Sequence, residues 1–230
     1  MLTPLEIEAL QLSLLVGVTS IIAALPFALA CAWLLSRRDF WGKSVVDGIV
    51  HLPLVLPPVA VGFALLVLFG RNGIIGAFLY QTFGIVFAFN WKGAALASAV
   101  MAFPLMVRAM RLSVEAVDQR LEAAARSLGA SPWRVFLTIT LPLTAPGILT
   151  GAILGFARSV GEFGATITFV SNIPGQTRTL PVALYTLTQI PGSDLPAWRL
   201  AGLSVALALA ALIGSELLAR RLGHRLRGLD

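Results

Sequence analysis

The sequence predicts an all-helical integral membrane protein of about five transmembrane segments. Hydrophobic residues fill 57% of its 230 positions and charged residues only 12%, with a mean hydropathy of +0.87. A soluble domain carries about 25% charge. Apolar runs close to the roughly 20 residues that a helix needs to cross the hydrocarbon core recur along the chain, and cations cluster between them.

The first run, Leu10 to Leu35, follows Glu6 and Glu8 rather than positive charge and is too long for a cleavable leader. The second, Val45 to Phe69, contains Pro53, Pro57 and Pro58, and the third, Ala94 to Val107, contains Pro104. Each proline removes a helix hydrogen bond; in transporters such interruptions mark hinges or gates, and elsewhere plain kinks. The third run is short unless its helix borrows from Phe87 to Trp91. The fourth, Gly147 to Val170, places Gly147, Gly151 and Gly155 on one face, a spacing that lets helix backbones pack closely. The fifth is Leu200 to Ala219.

Ile74 to Phe89 is apolar enough to be a sixth span, but charge parity argues against it. Arg37, Arg38 and Lys43 form one cluster, Arg108, Arg111, Arg120, Arg126 and Arg134 a second, and Arg220, Arg221, Arg225 and Arg227 a third. Short loops rich in Lys and Arg stay cytoplasmic, so an even number of spans must separate each pair of clusters. Five spans satisfy this. They leave Arg71, Lys92, Arg178 and Arg199 outside, the N-terminus outside and the C-terminus cytoplasmic, with Ile74 to Phe89 a short external or re-entrant helix.

The net charge of +6 does not point to nucleic acid, because topology and anionic headgroups account for the cations and no basic-aromatic stripe appears. Cys31 is the single cysteine and allows no internal disulfide. His51 reads as an interfacial polar residue, and no cluster of His, Cys or carboxylates has metal-ligand spacing. No Gly-rich phosphate loop is present, so the chain is not expected to bind ATP itself. Nor do its residues form a hydrolytic constellation.

Two ionisable residues do lie inside a span. Arg158 and Glu162 are one turn apart, on one face and close enough to pair. Ionisable groups in a membrane are expensive unless paired or facing water. The two readings are a structural ion pair and a place on a translocation path, where pairing would keep an anion from binding too tightly to leave.

The most informative stretch cannot sit in lipid. Leu121 to Pro142, LEAAARSLGASPWRVFLTITLP, reads as two short helices joined at an elbow. Leu121 to Leu128 is rich in strong helix formers, and Gly129 stands where a C-terminal cap needs positive φ. Ser131 and Pro132 then supply an N-cap and a first-turn proline, and Pro142 should stop or kink the second helix.

This spacing resembles the EAA loop of ABC import permeases: Glu-Ala-Ala, three residues, Gly, nine residues, Ile, one residue, Leu-Pro. Gly129, Ile139, Leu141 and Pro142 match its second half without a gap. Glu122, Ala123 and Ala124 stand one residue further from Gly129 than in the pattern, so the family's usual Glu position is Ala123 here. Further stretches resemble the molybdate permeases of bacterial type I ABC importers: HLPLVLPPVAVGFALLV from His51, AFPLMVRAMRLSVEAVD from Ala102 and ARSVGEFGATITFVSNIPGQTRTLPVALYT from Ala157.

The resemblance implies a single transmembrane domain over 1–230, with the permease core at about 10–218 and the coupling loop at 108–142. It also implies a second, identical permease chain, two cytoplasmic ABC ATPase subunits that bind the ATP and magnesium, and a periplasmic or lipid-anchored molybdate-binding protein. The setting would be the bacterial cytoplasmic membrane, with molybdate as cargo and sulfate or tungstate as alternatives. A stand-alone secondary transporter is the rival from another class; the proline breaks suit it, but no internal repeat appears.

Overall fold

The computed structural model describes residues 3–227, with side chains omitted at 215, 216 and 218–227. The basic cluster at Arg220, Arg221, Arg225 and Arg227, and His224, therefore lie outside the described side chains. The described residues form helices and their connections.

Helix α1, Pro4–Arg37, starts at a capping box: Thr3 Oγ1 accepts from Glu6 N–H while Glu6 Oε2 accepts from Thr3 N–H, with Pro4 at the first helical position. Its buried face is built largely of small residues, among them Ala9, Ser13, Ser20, Ala24, Ala28 and Ala32, and the opposite face leaves Val18, Ile22 and Phe27 exposed as lipid-facing residues would be. The small face packs on α5, Trp91–Glu115, which Asn90 caps through the N–H groups of Lys92 and Gly93. Helix α5 is the centre of the bundle, with Pro104 absorbed inside it.

The predicted second span is two helices, α2 at Lys43–Val55 and α3 at Pro58–Phe69, bent by 114°. The break falls at Pro57 and Pro58, where two successive N–H donors are missing; Pro53 is tolerated within α2. Helix α2 packs with Val46 and Val50 on the half of the bundle around Met106 and Met110, whereas α3 buries Val61 and Leu65 in the other half beside Leu12, Val16 and Ala94. Helix α4, Ile74–Phe83, is a ten-residue element too short to span.

After α5 the chain forms α6, Gln119–Ser127, and α7, Pro132–Val135. The helix then widens into a π turn, Phe136–Thr140, and continues as α8, Leu141–Val160. Of the two outcomes expected at Pro142, a stop or a kink, the helix does not stop: a wider turn, in which Leu141 N–H reaches Phe136 O, lies just before the proline and accommodates its ring. One expectation needs correction here. The fourth span does not run unbroken to Val170; α8 stops at Val160, and the outer half is a separate helix, α9, Gly164–Val170. Gly161 and Gly164 bracket the break, and glycine adds little to helix stability. The glycine stripe of α8 does pack helices: Gly147 abuts Ser113, Gly151 abuts Met106 and Met110, and a Cβ on Gly155 would come within 2.7 Å of Met106 Cγ.

Helices α10, Leu180–Thr188, and α11, Asp194–Arg227, complete the bundle. Among the described residues four helices are long and apolar enough to cross a membrane, and there are five spans when the bent α2–α3 pair counts as one. The first two basic clusters share one end, where Arg37 meets Glu122 and Arg111 meets Asp47. Arg199 meets Glu6 at the opposite end.

Candidate functional site

The polar elbow and the paired helix breaks are two places where this apolar bundle departs from helix packing. At the elbow Asp118 caps α6 by accepting from Arg120 N–H at 2.8 Å. Gly129 takes φ +86°, and the chain closes as a Schellman turn: Gly129 N–H bonds Arg126 O at 2.9 Å and Ala130 N–H bonds Ala125 O at 3.1 Å. Nothing lies within 4 Å of a Cβ built on Gly129, so conformation, not space, selects glycine there. Ser131 Oγ then accepts from Arg134 N–H at 3.4 Å with Pro132 following, the start the sequence predicts.

Ala123, Ala124, Arg126, Gly129 and Pro142 are exposed, Ile139 and Leu141 half-buried, and Leu128 is 89% exposed at the bend. Glu122 alone turns inward. Its Oε1 accepts from Arg37 Nη2 at 3.0 Å and from Thr140 Oγ1 at 2.8 Å, while its other oxygen lies 3.9 Å from Arg126 Nη2. Arg37 Nη2 also donates to Val117 O at 3.1 Å. Stacking of Trp133 on Phe136 and the edge contact of Trp33 with Phe136 hold the returning arm to the end of α1. The segment outside long helices is shorter than 108–142, since α5 continues to Glu115.

The second place lies at half depth. Ser159 Oγ and Ser20 Oγ are 3.0 Å apart, and Ser20 is midway along α1. There Arg158 Nη1 and Glu162 Oε2 form an ion pair at 2.6 Å, and Glu162 Oε1 accepts from Ala165 N–H at 2.9 Å. The carboxylate thus neutralises Arg158 and satisfies a free donor at the start of α9. The two breaks touch: a Cβ on Gly62 would come within 2.5 Å of Ala165 O, and one on Gly164 within 2.8 Å of Pro58 Cβ. The outer side of the α2–α3 break, 54–60, is exposed along its whole length.

Sequence reasoning found the elbow and the Arg158–Glu162 pair but not Arg37, Thr140 or the Asp47–Arg111–Glu115 network. Arg37 is 85 positions from Glu122 and Asp47 is 64 from Arg111, and no local signal joins them; Arg111 and Glu115, four apart on α5, carry the same helical spacing as Arg158 and Glu162 and were legible in the sequence. His51 is part of that network, with Nδ1 2.9 Å from Asp47 O, beside a cleft of about 310 Å³ that Arg108 also lines.

A multi-span bundle that carries a surface elbow outside its apolar body is the architecture of a transporter's membrane subunit. The chain belongs to the family described as the binding-protein-dependent transport system inner membrane component, which it matches over residues 24–227. It is a multi-pass protein of the inner, cytoplasmic membrane. It is 61% identical over 219 residues to the molybdenum transport system permease protein ModB of Escherichia coli K12, covering 95% of this chain and 96% of that one. To the protein of the same name from Haemophilus influenzae it is 58% identical over 222 residues, covering 96% and 97%. Its fold is that of a crystallised bacterial alginate ABC transporter in complex with an alginate pentasaccharide-bound periplasmic protein, at TM-score 0.75 and 16% identity, covering 96% of this chain and 80% of that one.

Proposed function

We propose that this chain is the permease subunit of an ATP-driven importer that moves molybdate across the cytoplasmic membrane. The observation that carries the transport class is the exposed elbow around Gly129, held at a defined angle outside the bundle. The two relatives, near-identical in length, support molybdate rather than sulfate or tungstate as cargo.

In this reading the elbow faces the cytosol, with the N-terminus outside and the C-terminus inside, as the cation clusters favour. Ala123 to Gly129 is the surface that an ABC ATPase subunit grips, and ATP and magnesium are bound by that partner. A second, identical permease chain covers the exposed 54–60 stretch, because the carbonyls that Pro57 and Pro58 leave without an N–H partner at membrane depth need protein or water beside them. A binding protein outside delivers the oxyanion. Closure of the ATPases draws the two elbows together and opens the path outward. Arg158, held by Glu162, is the cation nearest mid-depth and offers the passing dianion a weak site that does not trap it.

Reconstitution of the chain with its ATPase and binding protein into proteoliposomes tests the proposal. ATP-dependent accumulation of labelled molybdate, exceeding that of sulfate, is the expected result. Uptake that persists without ATP, or a preference for sulfate, overturns it.

A further inference from the structure

Helix α6 has one buried side chain, that of Glu122; every other residue of the helix is exposed or half-exposed. The bundle therefore grips this helix, apart from its two chain connections, through a single carboxylate. That carboxylate does not look out toward a partner. One of its oxygens accepts two bonds from different elements, Arg37 at the end of α1 and Thr140 in the π turn before α8. Both partners are buried: Thr140 is 2% exposed and the Arg37 side chain 8%. Arg37 also holds the carbonyl of Val117 in the connection that leads into α6, and Thr144 Oγ1 donates to Thr140 O and fixes the donor's backbone.

We propose that Arg37 is a positioning residue for energy coupling, acting through Glu122 to lock the elbow to α1. The inference rests on the reading of the elbow as the ATPase contact, and it goes beyond that reading by naming how the motion enters the bundle. By chain connectivity alone, a displacement of α6 would pass to α5 and α8. With the lock it also moves α1, which packs along α5 and reaches Ser159 at the mid-depth break through Ser20. Charge-assisted hydrogen bonds suit this task because they are short and directional. A buried ion pair contributes little net stability against apolar packing but fixes which arrangement is adopted. The π turn has a part as well, since the widened turn carries Thr140, whose hydroxyl meets the same oxygen as Arg37.

The test uses the full importer in proteoliposomes and reads molybdate taken up per ATP hydrolysed, with co-purified ATPase as the measure of assembly. Glu122→Gln and Arg37→Met are expected to lower uptake per ATP by about two- to thirty-fold. Thr140→Val, which removes one donor and leaves the ion pair, should give a smaller loss in the same direction. The exchange of charges, Arg37→Glu with Glu122→Arg, should recover part of the ratio because the two act as a pair, whereas independent roles for the two residues would leave it at the lower of the single-variant values, and the thermal stability of each single variant separates a loss of coupling from a loss of fold. Wild-type coupling in both Glu122→Gln and Thr140→Val overturns the lock. So does loss of the ATPase from the purified complex in these variants, which would make Glu122 a docking determinant. Absence of ATP-dependent uptake in the unaltered importer defeats the functional reading itself, and the lock with it.

Discussion

Gly62 of α3 lies against the backbone of Ala165 in α9, so close that a methyl group there would come within 2.5 Å of the Ala165 carbonyl oxygen and 2.9 Å of Thr168 Cβ. The two interrupted spans are wedged together at this contact, with no flexible side chain to give way. Gly62→Leu should therefore destabilise the assembled importer by about 1–3 kcal/mol through overpacking. Gly202→Ala, where nothing lies within 4 Å of the added carbon, should be neutral or slightly stabilising. Thermal unfolding in detergent, followed by size-exclusion of the complex, checks both; equal behaviour of the two variants refutes the wedge.

Glu162→Gln should be severe, because it leaves Arg158 charged and unpaired at half depth; removing one partner of a buried pair costs about 3–5 kcal/mol. Replacing both, with Arg158→Met and Glu162→Met, should restore most of the stability. Transport by the double variant separates the two readings of the pair. Recovered stability with lost molybdate uptake assigns Arg158 to the path, and recovery of both assigns it to architecture alone.

Gly129→Val places a β-branched residue at φ +86°, at a cost of about 1–3 kcal/mol, in open space. Membrane insertion should be unaffected while uptake per ATP falls, and Gly129→Asn, which tolerates left-handed backbone, should lie between. Unchanged molybdate accumulation in the valine variant would show that the elbow's angle does not matter.

Val55 is 81% exposed at the α2–α3 break and Ile22 is 69% exposed on the free face of α1. A nitroxide on Val55→Cys, in a Cys31→Ser background, should show low accessibility to oxygen dissolved in the acyl chains, and one on Ile22→Cys high accessibility. Equal, high accessibility would mean that the break faces lipid.

Much of this architecture could be read from the chain because its signals are local. Gly129 needs positive φ, and Ser131 with Pro132 announces a helix, both from short windows; the argument against Ile74 to Phe89 as a span instead compares cation clusters along the whole chain. The breaks were harder to place. Pro26, Pro53, Pro104 and Pro146 all lie inside helices, so the presence of proline did not say which one bends the chain; it is the doubled Pro57 and Pro58 that do. Around Gly161 the charged Arg158 and Glu162 read as an ion pair within one unbroken helix, and the break is stabilised by Glu162 accepting the Ala165 N–H, a bond that shows only in three dimensions. Nothing in the residues around Glu122 names its partner; Arg37, 85 positions away, is brought beside it only by the fold.

The bare stretch at 54–60 has a consequence for biogenesis. In the dimer proposed above, a newly inserted copy that has not met its partner chain presents to the acyl chains the carbonyls of Pro53 and Leu54, for which Pro57 and Pro58 offer no N–H, an expensive arrangement in that medium. Orphaned copies should therefore be short-lived in cells, cleared by membrane proteases unless synthesis keeps pace with assembly, so that the abundance of the transporter is set by its scarcest component.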